Sequence, residues 1–323
     1  MLLAGDLGAT NTRLGLFEQN TPRPTELFTH DFATNAYPGL SAMVREFLSR
    51  SGTTAEAIEA ACVGVAGPVI DQRVYPTNIE WVVDGAEVIR SSGVKRLHLL
   101  NDVEAMAYAV PALDRSELLV LQEGTRNPTG NGALLAAGTG LGQAMLIHVD
   151  GHWRPSPSEG GHADFAARTP REIELLQELT RQYGRAHTEH IVCGPGLVNL
   201  ARFTSKGQSK VFAEAKTPKE LPSLVSQAAL DGSCAYCVEA LEMFIEAYGA
   251  AAGNFAMQCL ATGGVYLGGG IPPKILPAFH NDRFMTAFRA KEPMADLMRT
   301  IPVSIILNSH AGLLGAAVFA SEM

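Results

Sequence analysis

The chain has 323 residues, 46 % of them apolar and 18 % charged, with a net charge of −8. That suits two modest domains or one large one around a real core. The acidic balance excludes a nucleic-acid surface, because nothing would offset phosphate repulsion, and no basic run suited to DNA or anionic lipid occurs.

The N-terminus, Met1-Leu2-Leu3-Ala4-Gly5-Asp6, lacks a basic stretch followed by a long apolar run, so no signal peptide is evident and a cytoplasmic location is expected. Residues 247–273 are uncharged, but five interrupting glycines or glycine runs, Asn254 and Gln258 favour a buried helix followed by a buried strand over a membrane span. Five cysteines with no secretory signal point to reduced thiols. Cys234 and Cys237 form a C-x-x-C pair. No second pair completes a zinc site, His187 and His190 are too close for zinc-finger histidines, and no strand of a thioredoxin-like unit precedes the pair. The preferred reading is two half-buried helix cysteines.

In chain order, residues 2–5, 13–18 and 26–32 read as strands, the first two as a hairpin around a glycine-containing turn. Residues 38–49 carry apolar side chains at helical spacing. Residues 60–66 read as a buried strand and 94–100, charged at Lys95 and Arg96 and apolar towards Leu100, as a second strand, each running into polar or glycine residues, where α/β proteins place their sites. Residues 118–122, 132–137 and 142–149 repeat the opening pattern, an apolar strand entering a Gly- and Thr-rich turn. This weak internal repeat predicts two related halves facing one another. Thr169-Pro170-Arg171-Glu172 reads as a helix capping box, and Thr217-Pro218-Lys219-Glu220 as a second. Residues 235–260 read as a long buried helix, 301–307 as a last strand, and 311–321 as a small-residue helix able to pack back on the first half.

Asp6-Leu7-Gly8-Ala9-Thr10-Asn11-Thr12-Arg13 ends the first strand. Its small residues let backbone N–H groups approach a phosphate, Thr10 and Asn11 add donors, and Asp6 is placed to hold Mg²⁺ through water. The alternative is an ordinary hairpin turn. Gly138-Thr139-Gly140-Leu141-Gly142 is the corresponding turn of the second half, and the two together suggest a clamped phosphate tail. Neither is a Walker loop, and no protein-kinase motif set occurs. Gly268-Gly269-Gly270 invites close approach of an adenine or ribose, or serves tight packing at a turn.

Leu97-His98-Leu99-Leu100-Asn101-Asp102 is an apolar strand ending in polar residues, with His98 structural. Asp102 is a helix N-cap or a general base accepting an alcohol proton, and Asn101 could hold a neighbouring hydroxyl. Glu159-Gly160-Gly161-His162 combines a carboxylate and an imidazole suited to sugar hydroxyls, with glycines leaving room for the ring. On local grounds alone Glu189 would be dismissed as a solvated helix charge.

These segments, with Glu189 before Gly194-Pro195-Gly196-Leu197, resemble the motifs of bacterial glucokinases in the same order over nearly the whole chain. The Glu-Gly-Gly-His run and the Asn-Asp pair are the specific parts. The glycine turns are shared with the wider superfamily of hexokinase, actin and heat-shock chaperones. The resemblance implies an α/β, two-domain actin-like ATPase (ribonuclease H-like) fold with an interdomain active-site cleft. Its expected domains are a small one over residues 1–110, joined by a C-terminal helix over 308–323, and a large one over 111–307. It implies transfer of the γ-phosphoryl group of ATP to the 6-hydroxyl of glucose, with Mg²⁺ and Asp102 as base. Asn101, Glu159, His162 and Glu189 would bind glucose, and Asp6, Gly8, Ala9, Thr10, Asn11, Gly138, Thr139, Gly140, Gly268, Gly269 and Gly270 the nucleotide. It further implies closure on glucose that excludes water, a homodimer, and no nucleic-acid or membrane partner. Absence of the cysteine-rich zinc motif puts the chain in the zinc-free branch. Ala9 replaces a family glycine and would weaken nucleotide binding if that position needs positive φ. Two other readings stay open: a kinase for another hexose or an amino sugar, and a non-catalytic sugar-sensing regulator.

Overall fold

The computed structural model describes residues 1–76 and 79–323. The chain divides into two compact units, one of residues 1–117, 153–157 and 308–323, the other of residues 118–152 and 158–307.

In the first unit β1 (Leu2–Leu7), β2 (Asn11–Glu18) and β3 (Thr25–Ala33) lead through α1 (Leu40–Ser51) to β4 (Ala60–Val65). A small hairpin of β5 (Arg73–Val74) and β6 (Val83–Asp84), then α2 (Gly85–Ser92), precedes β7 (Leu97–Asn101) and α3 (Asp102–Ala109). The sheet order is β3-β2-β1-β4-β7, with β1–β2 and β2–β3 antiparallel and β1–β4 and β4–β7 parallel. The strands read as continuous apolar runs because both faces are covered. Leu3, Val63 and Leu99 pack with Met43 and Phe47 of α1 on one side.

In the second unit β8 (Leu118–Gln122), β9 (Gly132–Ala137) and β10 (Leu141–Val149) come first; the next strand, β11 (His152–Ser158), has its residues 153–157 in the first unit. There follow α4 (Pro170–Tyr183), α5 (Gly194–Ser205), α6 (Val211–Glu214), α7 (Leu221–Leu230) and α8 (Ala235–Gln258). After them stand β12 (Gly264–Gly268), α9 (Arg283–Arg289), α10 (Ala295–Thr300) and β13 (Val303–Ile306). The sheet order is β11-β10-β9-β12-β13-β8. In both sheets the strand before the glycine turn is flanked by its hairpin partner on one side and a parallel strand on the other, which is the topological form of the repeat seen in the sequence.

The uncharged stretch at 247–273 is the end of α8 followed by β12. Tyr248 of α8 is fully buried and donates to the Leu135 carbonyl of β9 at 3.0 Å. Among the described residues no helix is long and apolar enough to cross a membrane.

Thr169 caps α4 by accepting from the Glu172 N–H at 3.2 Å, but the Glu172 carboxylate turns to the Arg168 N–H instead of closing the box. Thr217 makes no side-chain cap. Glu220 accepts from its hydroxyl and from the Lys216 N–H, and residues 218–220 form a 3₁₀ turn before α7.

The chain ends in α11 (Ala311–Glu322), which returns to the first unit against β1, β4 and α3. A Cβ at Gly315 would lie 1.7 Å from the Ala105 carbonyl oxygen of α3. Gly315→Ala is therefore expected to destabilise by about 1–3 kcal/mol, although alanine is by ~1 kcal/mol the better helix former. A urea midpoint equal to or above that of the wild type would contradict this reading of the helix crossing.

Candidate active site

Within the first unit, Asp6, the 8–10 turn, Asn101 and Asp102 lie at the carboxyl ends of the parallel strands, because β1, β4 and β7 align Leu7 with Val65 and Val65 with Asn101. The turn is braced from below. Gly8 N–H donates to Asn11 O at 3.0 Å, Thr34 N–H donates to Thr10 O at 2.9 Å, and the Thr34 hydroxyl donates to Gly8 O at 2.8 Å. Thr34 Oγ1 also lies 2.9 Å from Thr12 Oγ1, and both threonines are fully buried. Thr10 and Asn11 themselves are exposed. Ala9 is not among the residues with positive φ, so its backbone carries no left-handed strain.

Asn101, not Asp102, caps α3. Its Oδ1 accepts from the N–H groups of Val103 and Glu104 at 3.0 and 3.2 Å, and its Nδ2 donates to Gly67 O at 3.1 Å. One amide hydrogen remains for a ligand hydroxyl. Asp102 is the first helical residue, and its Oδ1 accepts from the Val103 N–H at 2.9 Å.

Asp6 is pushed up to about 6, first by burial and next by the Asp102 charge, with Arg13 pulling the other way. Arg13 is itself committed to Asp31 through Nε and Nη2, at 2.6 and 2.7 Å. Two mutually repelling carboxylates with a pre-engaged counter-charge form a donor set that fits a hard divalent cation such as Mg²⁺. The raised value carries a sign. The folded state holds the Asp6 proton more tightly than the unfolded one. Stability is full below the ordinary value near 3.8 and drains as pH rises through 6. In metal-free buffer Asp6→Asn is expected to stabilise the protein at pH 7 by on the order of 3 kcal/mol, a gain that closes towards pH 4. Equal melting temperatures for variant and wild type at pH 7 would remove the claim.

Within the second unit three segments converge. The 138–140 turn joins β9 to β10, with Gly138 N–H donating to Gly140 O at 2.8 Å. Gly269 sits against the end of β9 with φ +86°, and a Cβ there would stand 2.3 Å from Ala137 O. Ile271 N–H donates to the same carbonyl at 3.1 Å. The structure thus brings Gly268–Gly270 beside Gly138–Gly140, with tight packing at Gly269 and open space at Gly270, whose Cβ would meet nothing within 4 Å.

The third segment carries Glu189. It lies on a 3₁₀ turn, Thr188–His190, and its Oε2 accepts from the Leu141 N–H at 2.7 Å. Gly194, at the start of α5, donates to Gly138 O at 2.9 Å. Far from being a solvated helix charge, Glu189 braces the second glycine turn. Its Oε1 lies 4.0 Å from His162 Nδ1, and His162 Nε2 lies 3.8 Å from Glu159 Oε2. Glu159, His162 and Glu189 are thus gathered, with Glu159 and His162 exposed and Glu189 half-buried. The glycines between Glu159 and His162 have a packing role of their own, since a Cβ at Gly160 would be 2.3 Å from Gln143 Oε1. A Cβ at Gly161 would be 2.0 Å from Leu141 O, so they let the turn lie on β10.

His187 escaped the sequence reading except as a rejected zinc ligand. Its ring lies 4.9 Å from the His162 ring and 3.6 Å from the His190 ring, its buried Nδ1 has no hydrogen-bond partner among the described residues, and Tyr183 stacks on His190 at 4.2 Å. Burial, then a neighbouring imidazole, pulls both His187 and His190 below the usual histidine value. Thr188 donates through N–H to Ala163 O at 3.0 Å, completing the tie between the Glu159–His162 and Glu189 turns. No spacing rule reveals that tie, because the segments are separated by all of α4.

Two sheets that share a five-strand order, the second with β8 added at one edge, each with a glycine turn after its third strand, define the class: α/β proteins of the actin-like ATPase fold. The glucokinase family model matches residues 3–323. The glucokinase of Synechocystis sp. is 38 % identical over 99 % of this chain and 98 % of its own, and that of Nostoc sp. 36 % identical over 100 % and 99 %. The crystal structure of a glucokinase from an Antarctic psychrotroph superposes with a TM-score of 0.87 at 29 % identity, covering 100 % of this chain and 99 % of that one. The chain belongs to the glucokinase family.

Proposed function

We propose that this protein transfers the γ-phosphoryl group of ATP to the 6-hydroxyl of D-glucose. The observation that supports the reading most is the bond from Leu141 N–H to Glu189 Oε2, which joins a phosphate-type turn to a carboxylate of the Glu159–His162–Glu189 cluster. A site that must orient a sugar against a nucleotide has use for that coupling. Asp102 takes the hydroxyl proton as the oxygen attacks phosphorus. Asn101, Glu159, His162 and Glu189 hold the other sugar hydroxyls, whose mixed donors and acceptors match an amide, two carboxylates and an imidazole. The residues proposed for ATP are Gly8, Ala9, Thr10 and Asn11 in the first unit and Gly138, Thr139, Gly140, Gly268, Gly269 and Gly270 in the second. Asp6 would hold Mg²⁺ through water, and the ion would supply charge neutralisation on the phosphates.

The sugar preference rests on resemblance to relatives named glucokinase and on the hydroxyl-binding cluster. A coupled assay with ATP, Mg²⁺ and a panel of glucose, mannose, fructose and glucosamine tests it. Glucose is expected to have the highest kcat/KM, and no glucose 6-phosphate from folded protein would end the proposal. A homodimer in the cytoplasm is the accompanying expectation, with light scattering as the check of assembly.

A further inference from the structure

The C-x-x-C pair takes no part in the chemistry above. Cys234 is the N-cap of the 24-residue α8, its Sγ accepting from the Cys237 N–H at 3.4 Å with Ser209 Oγ 3.5 Å away. Cys237 stands one turn along and is fully buried, whereas Cys234 is half-buried and reachable from solvent. Residues three apart on a helical turn have Cα atoms about 5 Å apart, from a rise of ~1.5 Å per residue on a ~2.3 Å cylinder. A disulfide spans about 4.4–6.8 Å, so the pair can close with its backbone in place.

The environments of the two sulfurs differ in a useful direction. Burial would raise the Cys234 thiol, but the bonds from Cys237, Ser209 and the first-turn amides outweigh it and hold it below the ordinary value. Cys237 is pushed up to about 12, first by burial and then by Cys234. An accessible, thiolate-prone sulfur with a protected partner one turn behind it is the arrangement of an attacking and a resolving cysteine. The strand whose absence argued against redox chemistry in the sequence is not physically required. What the exchange needs is a reachable N-cap thiol and a second sulfur one helical turn away. The other three cysteines are buried, with Cys193 and Cys259 donating to carbonyls of their own turns at 2.9 and 2.7 Å.

We propose that Cys234 and Cys237 form a reversible dithiol–disulfide couple whose oxidant is a low-molecular-weight disulfide. The Cys234 thiolate attacks one sulfur of the oxidant, breaking its S–S bond and releasing one thiolate, which takes a proton from water. The Cys237 thiol gives its proton to solvent and attacks Cys234 Sγ. The mixed disulfide breaks, the second thiolate leaves, and the Cys234–Cys237 bond forms. Two electrons pass from the pair to the oxidant, which departs as two thiols. The proposal is independent of the glucokinase reading.

The test uses the full chain, reduced, freed of reductant, and incubated with oxidised glutathione at pH 7. Remaining thiols are then blocked in denaturant and the peptides weighed. The expected product is a 234–237 peptide lighter by two hydrogens and unblocked, restored by dithiothreitol, while Cys62, Cys193 and Cys259 are blocked. Before oxidation, Cys234 is expected to alkylate at least about ten times faster than any other cysteine. Cys237→Ser should trap glutathione on Cys234, and Cys234→Ser, which keeps a capping side chain, should leave Cys237 a free thiol. Full blocking of both cysteines after prolonged incubation of folded wild type overturns the proposal. So does glutathione trapped on Cys237 in Cys234→Ser as readily as on Cys234 in the other variant.

Discussion

Replacing Asp102 with alanine is expected to lower kcat by about two to four orders of magnitude, the range for losing a positioned general base, with little change in the KM for glucose. The local structure sharpens this expectation. The N-cap duty that competed for Asp102 belongs to Asn101, whose Oδ1 takes both first-turn amides, so the alanine variant keeps its helix cap. Removing Asp102 also lifts a like charge from Asp6, which lowers the cost of burying that carboxylate. The variant should therefore fold as well as the wild type or better, and a loss of turnover is then chemical. Near-normal kcat in Asp102→Ala would strip the residue of its role, whatever the fate of the glucose assignment.

The second large effect is expected at Glu189. Its carboxylate has two tasks: accepting from the Leu141 N–H at 2.7 Å, and facing His162 from 4.0 Å. Glu189→Ala leaves a backbone donor unpaired at the glycine turn and removes a charged acceptor from the sugar cluster, each worth about 1–3 kcal/mol. The combined loss in kcat/KM for glucose is expected to be about 30- to 25 000-fold, with the KM for ATP rising as well because the turn loosens. Glu189→Gln keeps an acceptor for Leu141. It should leave the KM for ATP near normal while still impairing glucose, and that split separates the two tasks. An alanine variant with unaltered kinetics towards both substrates would dissolve the coupling on which the proposed function leans.

Much of the framework was legible because it is written in local pattern. Apolar runs such as 118–122 and 132–137 read as strands, and they are β8, half-buried, and β9, fully buried. The second apolar–glycine turn announced a repeat, and the two sheets share its strand order. β11 was invisible because Pro155 and Pro157 break the strand pattern, which the chain tolerates by placing β11 at the sheet edge. The two capping boxes look alike in sequence and behave differently: Thr169 accepts the Glu172 N–H, whereas the Thr217 hydroxyl donates to Glu220 and caps no amide.

What the amino-acid order alone determined is the inventory: two glycine turns after apolar strands, an Asn-Asp pair at a strand end, and an acid and an imidazole around paired glycines. These follow from residue type and short spacing, so they needed no coordinates. Only the tertiary structure decided how the inventory is shared out. It made Asn101 the cap and Asp102 the helix's first residue, turned Glu189 from a surface charge into the brace of a distant turn, used Gly161 to seat a loop on β10, and stood Cys234 at the end of α8 with Cys237 behind it. Each of those assignments depends on which donor, acceptor or void another segment presents. Hydrogen bonds and excluded volume act over a few ångströms of space, whatever the distance along the chain.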